Sequence, residues 1–492
     1  MYLVTSEQMR CFDHDTIESH RVPAIVLMDH AGRAVAERVL KRRPTTVIAL
    51  CGKGNNGADG WLAARWIARQ GCDVLALSIV DPATLHSDAR TAFEIADLAG
   101  VRWSVYRPGA LEQQLRGVSR SDTVLIDAVL GTGVSRPLDP DLLQLVREMN
   151  RSDAAIVAVD VPTGVNASTG EVMGDAVTAV ETVAMAFEKL GTAVTPGAFH
   201  AGTVHVADIG IDADVKTLHA MYTTPALFAQ QFGRRQASSH KGTYGRCGIW
   251  MGDMPGAARL AASSAARSGA GLVIVGGEVD MQLPPDVVVR SGVGVDEAFV
   301  DCRSIVIGPG LGNGADDVVA TAIDMAASGR VCGVIDADGL RAVGEGGALK
   351  SIGGRWVLTP HPKEAGRLLG WTSSEVQAHR VTAAVQLAER TGAIVLLKGY
   401  RTIIASPKGH IRVNPTGDAS LAVGGSGDVL AGVIGALLAQ GLDPFDAASL
   451  GAWLHGTAGE LAGQLYTQVS TMASDIVECL PKAIAAYLDA IS

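Results

Sequence analysis

Gly424-Gly425-Ser426-Gly427-Asp428 runs directly into Val429-Leu430-Ala431-Gly432-Val433-Ile434-Gly435-Ala436-Leu437-Leu438-Ala439. The second stretch reads as a helix that is apolar on nearly every face, which predicts a buried and rigid element. Backbone N–H groups at its start, freed of side-chain bulk by glycine, form a pocket for a phosphate or a developing anion. An acid at position 428 can reach the proton of a hydroxyl that attacks phosphorus. The plain alternative is a glycine turn with Asp428 as an N-terminal cap. Four adjacent small residues are more than a cap needs.

Around this stretch, short apolar runs alternate with helical patterns. Cys247–Met251, Gly271–Val275, Ser304–Ile307, Val331–Ile335, Trp356–Thr359 and Ile394–Leu397 read as buried strands. A similar series fills the first half: Val47–Leu50, Val74–Leu77, Val124–Ile126, Ala155–Val159 and a closing segment at Gly202–Gly210, with a helix over Gly60–Gln70. Strands alternating with helices predict α/β units with mostly parallel sheets. The 492 residues exceed what one core usually holds, so two domains are expected, 1–215 and 223–492, with the boundary between Asp212 and Pro225.

Composition excludes several classes. Apolar residues make up 48% of the chain, aromatics 4%, and the net charge is −10. That suits a packed α/β protein and argues against a sequence-independent nucleic-acid or acidic-membrane surface. Charges and glycines interrupt every apolar run before it could span a bilayer. The first residues lack the basic-then-apolar pattern of a signal peptide. Seven scattered cysteines without a Cys-x-x-Cys pair read as thiols of a cytoplasmic protein. Helices rich in glycine and alanine are compatible with a homo-oligomer as well as with core packing.

The first half carries its own chemical cluster. Gly52, Gly54 and Gly57 satisfy G-x-G-x-x-G after a strand, and Asp81 stands about where a ribose-binding acid would sit. No Gly-Lys-Ser/Thr follows, so this is not a Walker loop. Asn55, Asn56 and Asp59 crowd polar groups where a dehydrogenase packs small apolar ones. Asp127 and Asp160 each follow a strand and lead into glycine-containing turns. In an open parallel sheet such positions face one crevice, and Asn56, Asp127, Asp160 and Thr163 can converge there as oxygen ligands suited to a hard cation. Each acid alone also fits a turn or helix cap.

Together these motifs resemble a known family. Asn55-Asn56-Gly57-Ala58-Asp59-Gly60, Asp127-Ala128-Val129-Leu130-Gly131-Thr132-Gly133, Asp160-Val161-Pro162-Thr163-Gly164 and Leu27-Met28-Asp29-His30-Ala31-Gly32 are similar to NAD(P)H-hydrate epimerase domains, which have a Rossmann-like three-layer sandwich. His240–Gly245, Gly308–Gly312, Asp336–Leu340, Thr359–Glu364, Leu397–Gly399, Asn414–Gly417 and Gly424–Asp428 resemble ADP-dependent NAD(P)H-hydrate dehydratases, which are ribokinase-like. The order is that of the fused bifunctional repair enzymes.

The resemblance implies that the chain epimerises the R and S hydrates of NADH and NADPH. It also implies dehydration of the S form using ADP, with AMP and phosphate released. It assigns hydrate contacts to Asn55, Asn56, Gly57, Ala58 and Asp59 and to Gly131, Thr132, Gly133, Val134, Ser135, Arg136 and Pro137. Asn56, Asp127 and Thr163 match potassium ligands. Asp160 matches the acid/base, with Lys189 as its assistant. In the second domain Asp428 matches the base. Ala257, Gly310, Gly312 and His361 match hydrate contacts, and Lys398, Gly399, Tyr400, Arg401 and Thr402 match the nucleotide segment. Gly427 would stabilise the transferred phosphoryl group, and Mg²⁺ is expected with the nucleotide. Two departures stand out. Ala58 replaces a usual glycine, and Asp418-Ala419-Ser420-Leu421 replaces the Asn-Pro-Gly-Met that often follows the Asn414–Gly417 turn. A ribokinase-like small-molecule kinase and a non-catalytic nucleotide sensor are the alternatives.

Overall fold

The computed structural model describes residues 1–279, 281–312 and 314–492. The chain divides into two compact units, Tyr2–Leu218 and His219–Ser492, with Met1 grouped with the second.

The N-terminal unit contains β1 (Tyr2–Val4), β2 (Thr46–Cys51), β3 (Asp73–Ser78), β4 (Arg102–Val105), β5 (Thr123–Ala128), β6 (Ala155–Val159), β7 (Glu181–Met185), β8 (Glu188–Lys189) and β9 (Thr203–Ala207). Its main sheet has the order β4-β3-β2-β5-β6-β7-β9 and is parallel throughout. Side chains alternate across this sheet. Val47, Ala49 and Cys51 of β2 enter one hydrophobic cluster, while Ile48 and Leu50 enter another on the opposite face. Helices cover both faces, so β2 is buried twice over and reads as one continuous apolar run. Chain order reverses between β2 and β5, and in such sheets ligands bind at that switch point. The helix after β2 spans Asn55–Ala68, starting earlier than the Gly60 expected from sequence. Gly54 caps it without a side-chain hydrogen bond, so apolar periodicity could not locate its start.

The C-terminal unit contains β10 (Ala220–Tyr222), β11 (Arg246–Met251), β12 (Leu272–Gly277), β13 (Val287–Ser291), β14 (Ser304–Ile307), β15 (Cys332–Ile335), a small hairpin of β16 (Gly344–Glu345) and β17 (Ala348–Leu349), then β18 (Trp356–Leu358), β19 (Ile394–Leu397), β20 (Ile403–Ala405) and β21 (Ile411–Val413). The large sheet has the order β13-β12-β11-β14-β15-β18-β19-β20-β21-β10. It is parallel from β13 to β19 and antiparallel at β19–β20–β21.

The Ser426–Ala439 helix lies in the core of this unit, with Val429, Val433, Ile434 and Leu437 fully buried. It packs on the Pro255–Arg267 helix so closely that a Cβ at Gly432 would strike the Ala261 carbonyl and the Ser264 hydroxyl. Among the described residues no helix is long and apolar enough to cross a membrane. All seven cysteines are free thiols.

Candidate active sites

In the N-terminal unit, the carboxyl ends of β2, β5 and β6 meet. Register places Asp127 of β5 beside Leu50 of β2 and Ala158 of β6. The loop after β2 is compact. A Cβ at Gly52 would run into the Val129 carbonyl, and one at Gly57 into the Gly52 carbonyl. Glycine there draws the first turn of the Asn55–Ala68 helix onto the β5 loop. Ala58 sits within that helix, fully buried and at negative φ, with its N–H on the Gly54 carbonyl at 3.1 Å. The alanine therefore imposes no backbone strain at this position.

A cavity of about 400 Å³ opens above these strand ends. Asn55, Asn56, Asp59, Gly131, Thr132, Gly133, Asp160 and Lys189 line it, together with Arg10, Asp13 and Lys53. Gly57, Ala58 and Val134 lie buried behind that surface. Ser135, Arg136 and Pro137 are exposed and outside its lining. Asp81 is also outside it, since its carboxylate accepts the Ala83 N–H at 2.9 Å and caps the Pro82–Thr84 turn.

Asp160 adopts a left-handed backbone at φ +66°, an uncommon conformation for a side-chain-bearing residue. Its Oδ1 accepts the Met185 N–H at 3.0 Å and pairs with Lys189 Nζ. Lys189 is completely buried, and Nζ also donates to the Met185 carbonyl at 2.8 Å. Asp13 and Asp59 join the same field. Burial, with repulsion from Asp160, raises Asp13 to about 6 and drives Asp59 well above its ordinary value, while Lys189 opposes both shifts. Asp13 escaped the sequence reading because it comes from the Ser6–Glu18 helix, remote from the other motifs.

Asp127 is fully buried. Its Oδ2 accepts the Thr163 N–H at 2.7 Å, and its Oδ1 accepts the Thr163 hydroxyl at 2.6 Å. Burial raises it to about 6 against these bonds. Nearby, the Leu130 N–H donates to Thr163 Oγ1 at 3.0 Å. Asn56 Nδ2 is buried without a hydrogen-bond partner, while Oδ1 faces Gly131. Which end of this amide is oxygen is an assignment, so the orphaned position suits an oxygen turned to a cation. Carboxylate, hydroxyl and amide make a hard-oxygen set.

In the C-terminal unit the decisive helix begins at Ser426, with Gly425 as the N-cap at φ +91°. No side chain caps it, and Asp428 occupies the first turn rather than the cap position. Lys398 follows β19 and donates to Asp336 Oδ1, after β15, at 2.7 Å. A Cβ at Gly427 would lie 3.0 Å from Lys398 Nζ and 3.6 Å from Asp336 Oδ2, so the helix start sits directly over this pair. Burial opposes the charge on Lys398, but Asp336, Glu364 and Asp428 together raise its pKa. Asp428 is raised to about 6, first by burial and then by Asp336, with Lys398 pulling the other way.

A cavity of about 570 Å³ adjoins this helix start. His361, Lys398, Gly399, Tyr400, Thr402, Ser426 and Gly427 line it, with the Asn414–Gly417 turn and His455. Arg401 is not in the lining and stacks over Tyr222 and Tyr400, at 5.6 and 5.5 Å from their centroids. His361 caps the Pro362–Leu369 helix through Nδ1, which accepts the Lys363 and Glu364 N–H groups at 3.1 and 3.3 Å. Cap and cavity wall are therefore one residue. Asp418-Ala419-Ser420-Leu421 forms a short turn in which Asp418 accepts the Ser420 N–H and the Gln468 amide, and Asp418, Ala419 and Leu421 supply the wall.

Ala257, Gly310 and Gly312 form a neighbouring cluster beyond β11 and β14. A Cβ at Gly310 would come within 3.0 Å of Ala257 Cβ, and the Gly312 N–H donates to Asp338 at 3.0 Å. His455 was missed because it sits mid-helix, 29 residues from its partner Ser426, without a motif of its own.

Both halves of the chain match known families. The YjeF-related protein N-terminus family matches residues 24–191, and the NAD(P)H-hydrate dehydratase family matches residues 247–482. The bifunctional NAD(P)H-hydrate repair enzyme of Moorella thermoacetica is 36% identical, over 98% of this chain and 96% of its own. That of Vibrio cholerae is 35% identical over 97% of each.

This chain belongs to the bifunctional NAD(P)H-hydrate repair enzymes.

The ADP/ATP-dependent NAD(P)H-hydrate dehydratase of Bacillus subtilis, crystallised with ATP and Mg²⁺, is 32% identical, covering 54% of this chain and 98% of that one with a TM-score of 0.48. As a family member the chain combines epimerase and dehydratase domains.

Proposed function

We propose that this repair enzyme divides its work between Asp160 and Asp428. In the N-terminal unit, Asp160 exchanges a proton with the ring hydroxyl of the hydrate during reversible loss and return of water, and so interconverts R and S. Lys189 pairs with that carboxylate and holds it in place. Asn55, Asn56 and Gly131–Gly133 hold the hydrate, with the first turn of the Asn55–Ala68 helix offering its N–H groups to phosphate. Asn56, Asp127 and Thr163 suit K⁺, which would fix the β5 and β6 loops in place. The orphaned Asn56 amide supports that fit.

In the C-terminal unit, Asp428 takes the proton of the S-hydrate hydroxyl. The freed oxygen bonds to the β-phosphorus of ADP while the bond to the α-phosphate oxygen breaks, releasing AMP. The new phosphate ester then leaves as phosphate, the ring nitrogen supplies its lone pair, and the adjacent ring carbon loses a proton. Dihydronicotinamide is regenerated. The uncapped N–H groups at Ser426 and Gly427 receive the charge that gathers on the transferred group. Lys398, Gly399, Tyr400 and Thr402 hold the nucleotide, and His361 contacts the hydrate from the same cavity wall. Asp336 Oδ2, facing Gly427, is the carboxylate that would hold Mg²⁺ beside nucleotide oxygens and water, and the ion would neutralise phosphate charge.

The observation that carries this reading is the helix begun by Gly425 with no cap, over Lys398 and Asp336 and with Asp428 in its first turn. The test is recovery from a mixture of R- and S-NADH hydrate with ADP, Mg²⁺ and K⁺, read by dihydronicotinamide absorbance. Complete recovery, faster than spontaneous epimerisation, is expected. Recovery that stops at the S fraction removes the Asp160 assignment, and no recovery with ADP or ATP removes the whole reading.

A further inference from the structure

We infer that His455 is a positioning residue for the dehydratase step, its ring holding the Ser426 hydroxyl so that the O–H donates to the phosphoryl group in transfer. This rests on the function proposed above. His455 projects from the Pro444–Tyr466 helix and is only 6% exposed, yet it lines the same cavity as Ser426 and Gly427. Its Nε2 lies 3.2 Å from Ser426 Oγ.

The helix that carries His455 is itself pinned to the nucleotide wall. Asn414 Nδ2 donates to the Ala452 carbonyl at 3.1 Å, and Thr416 Oγ1 to the Trp453 carbonyl at 3.0 Å. A Cβ at Gly456 would collide with Thr416. The imidazole therefore has little freedom to turn away from Ser426.

Its charge state is also constrained. Burial lowers its pKa to about 4, a hydrogen bond with the Ser426 backbone opposes, and Lys398 adds to the lowering. The ring is neutral at working pH and carries one N–H. With that hydrogen on Nε2, the ring donates to Ser426 Oγ. The serine's own proton is then left for an acceptor in the cavity. Ser426 is the first residue of the helix, so its hydroxyl and its neighbour's N–H are aimed from the same turn. A protonated ring would instead place a buried positive charge near Lys398, which burial disfavours.

The test compares Ser426→Ala, His455→Leu, the double variant and His455→Gln with the parent chain, using steady-state dehydration of S-NADH hydrate with ADP. Melting temperature and epimerisation are measured alongside. His455→Leu is expected to lower kcat by about 10²-fold with little change in the KM for ADP, as for loss of one preorganised donor. The double variant should be no slower than Ser426→Ala, and His455→Gln, which keeps a donor, should regain most of the rate. Losses that multiply in the double variant overturn the assignment. So does a His455→Leu protein with a lower melting temperature but unchanged kcat. A parent chain inert towards the hydrate overturns the function itself, whereas an active parent with multiplying losses overturns only the role of His455.

Discussion

Two aspartates stand near the carboxyl ends of parallel strands, one in each unit, and their surroundings differ in kind. Asp160 is clamped by a buried lysine and a backbone N–H, on a backbone held at φ +66°. Among the described residues no protein hydrogen bond ends on the Asp428 carboxylate. It rides in the first turn of an uncapped helix, between Asp336 and Lys398. The first site balances its charge within the protein, as suits moving one proton back and forth. Both sites have a helix start without a side-chain cap. They differ in the carboxylate: only in the second does the acid itself ride in the first turn of that helix.

The comparison breaks most sharply under Asp428→Asn. That change should lower dehydration by about 10²–10⁴-fold and leave epimerisation intact, so recovery fails in the absorbance assay while R/S exchange continues. Asp160→Asn should do the converse, cutting R/S exchange by at least about 10²-fold, followed by chromatographic separation of the two hydrates. Loss of both activities from either variant would mean that the sites are not independent.

Acid sharpens the contrast further. Asp428 is raised to about 6, so its base form vanishes below that pH, and kcat/KM for dehydration should fall about tenfold per pH unit there. Stability moves the opposite way. A carboxyl raised in the folded state contributes its stability below the ordinary carboxylate range, and that contribution is lost as pH rises through about 6. Replacing Asp428 with Asn should remove both trends, as a pH–rate profile and a melting series would record.

Gly425→Ala should have a smaller effect. An L side chain at φ +91° costs about 1–2 kcal/mol, and its Cβ would also press on Leu260 Cδ1 at 2.6 Å. Thermal unfolding of the C-terminal unit should register it, with ADP affinity reduced as the helix start shifts. Smallest of all is K⁺ for Na⁺ exchange at constant ionic strength, expected to raise the melting point of the N-terminal unit by a few degrees, or about 1 kcal/mol. No difference between the ions would withdraw Asn56, Asp127 and Thr163 as a selective site.

Strands buried on both faces were legible as plain apolar runs, which is why β2, β5, β6, β11, β14 and β19 could be read directly. Others carry polarity that their surroundings explain. β4 is Arg102-Trp103-Ser104-Val105 on an edge, mostly exposed, and β7 opens on Glu181, whose charge is met by Arg38 and Arg42. Asp160, Asp428 and Lys398 could be picked out because each adjoins a strand end or a glycine run. Asp13 and His455 could not, since only folding brings their helices to the sites. The Gly425 cap was equally hidden, because sequence shows small residues but not which one turns left-handed.

The uncapped start at Gly425 has a bearing beyond catalysis. On the function proposed, nucleotide bound at this helix start becomes a term in the folding equilibrium. By mass action, occupancy at a hundred times the dissociation constant adds about 2.7 kcal/mol to the folded state. In a cell, chains without nucleotide would open more often and meet proteases sooner. The lifetime of the protein would thus track its nucleotide supply, with the same few backbone hydrogens setting both turnover of substrate and turnover of the enzyme.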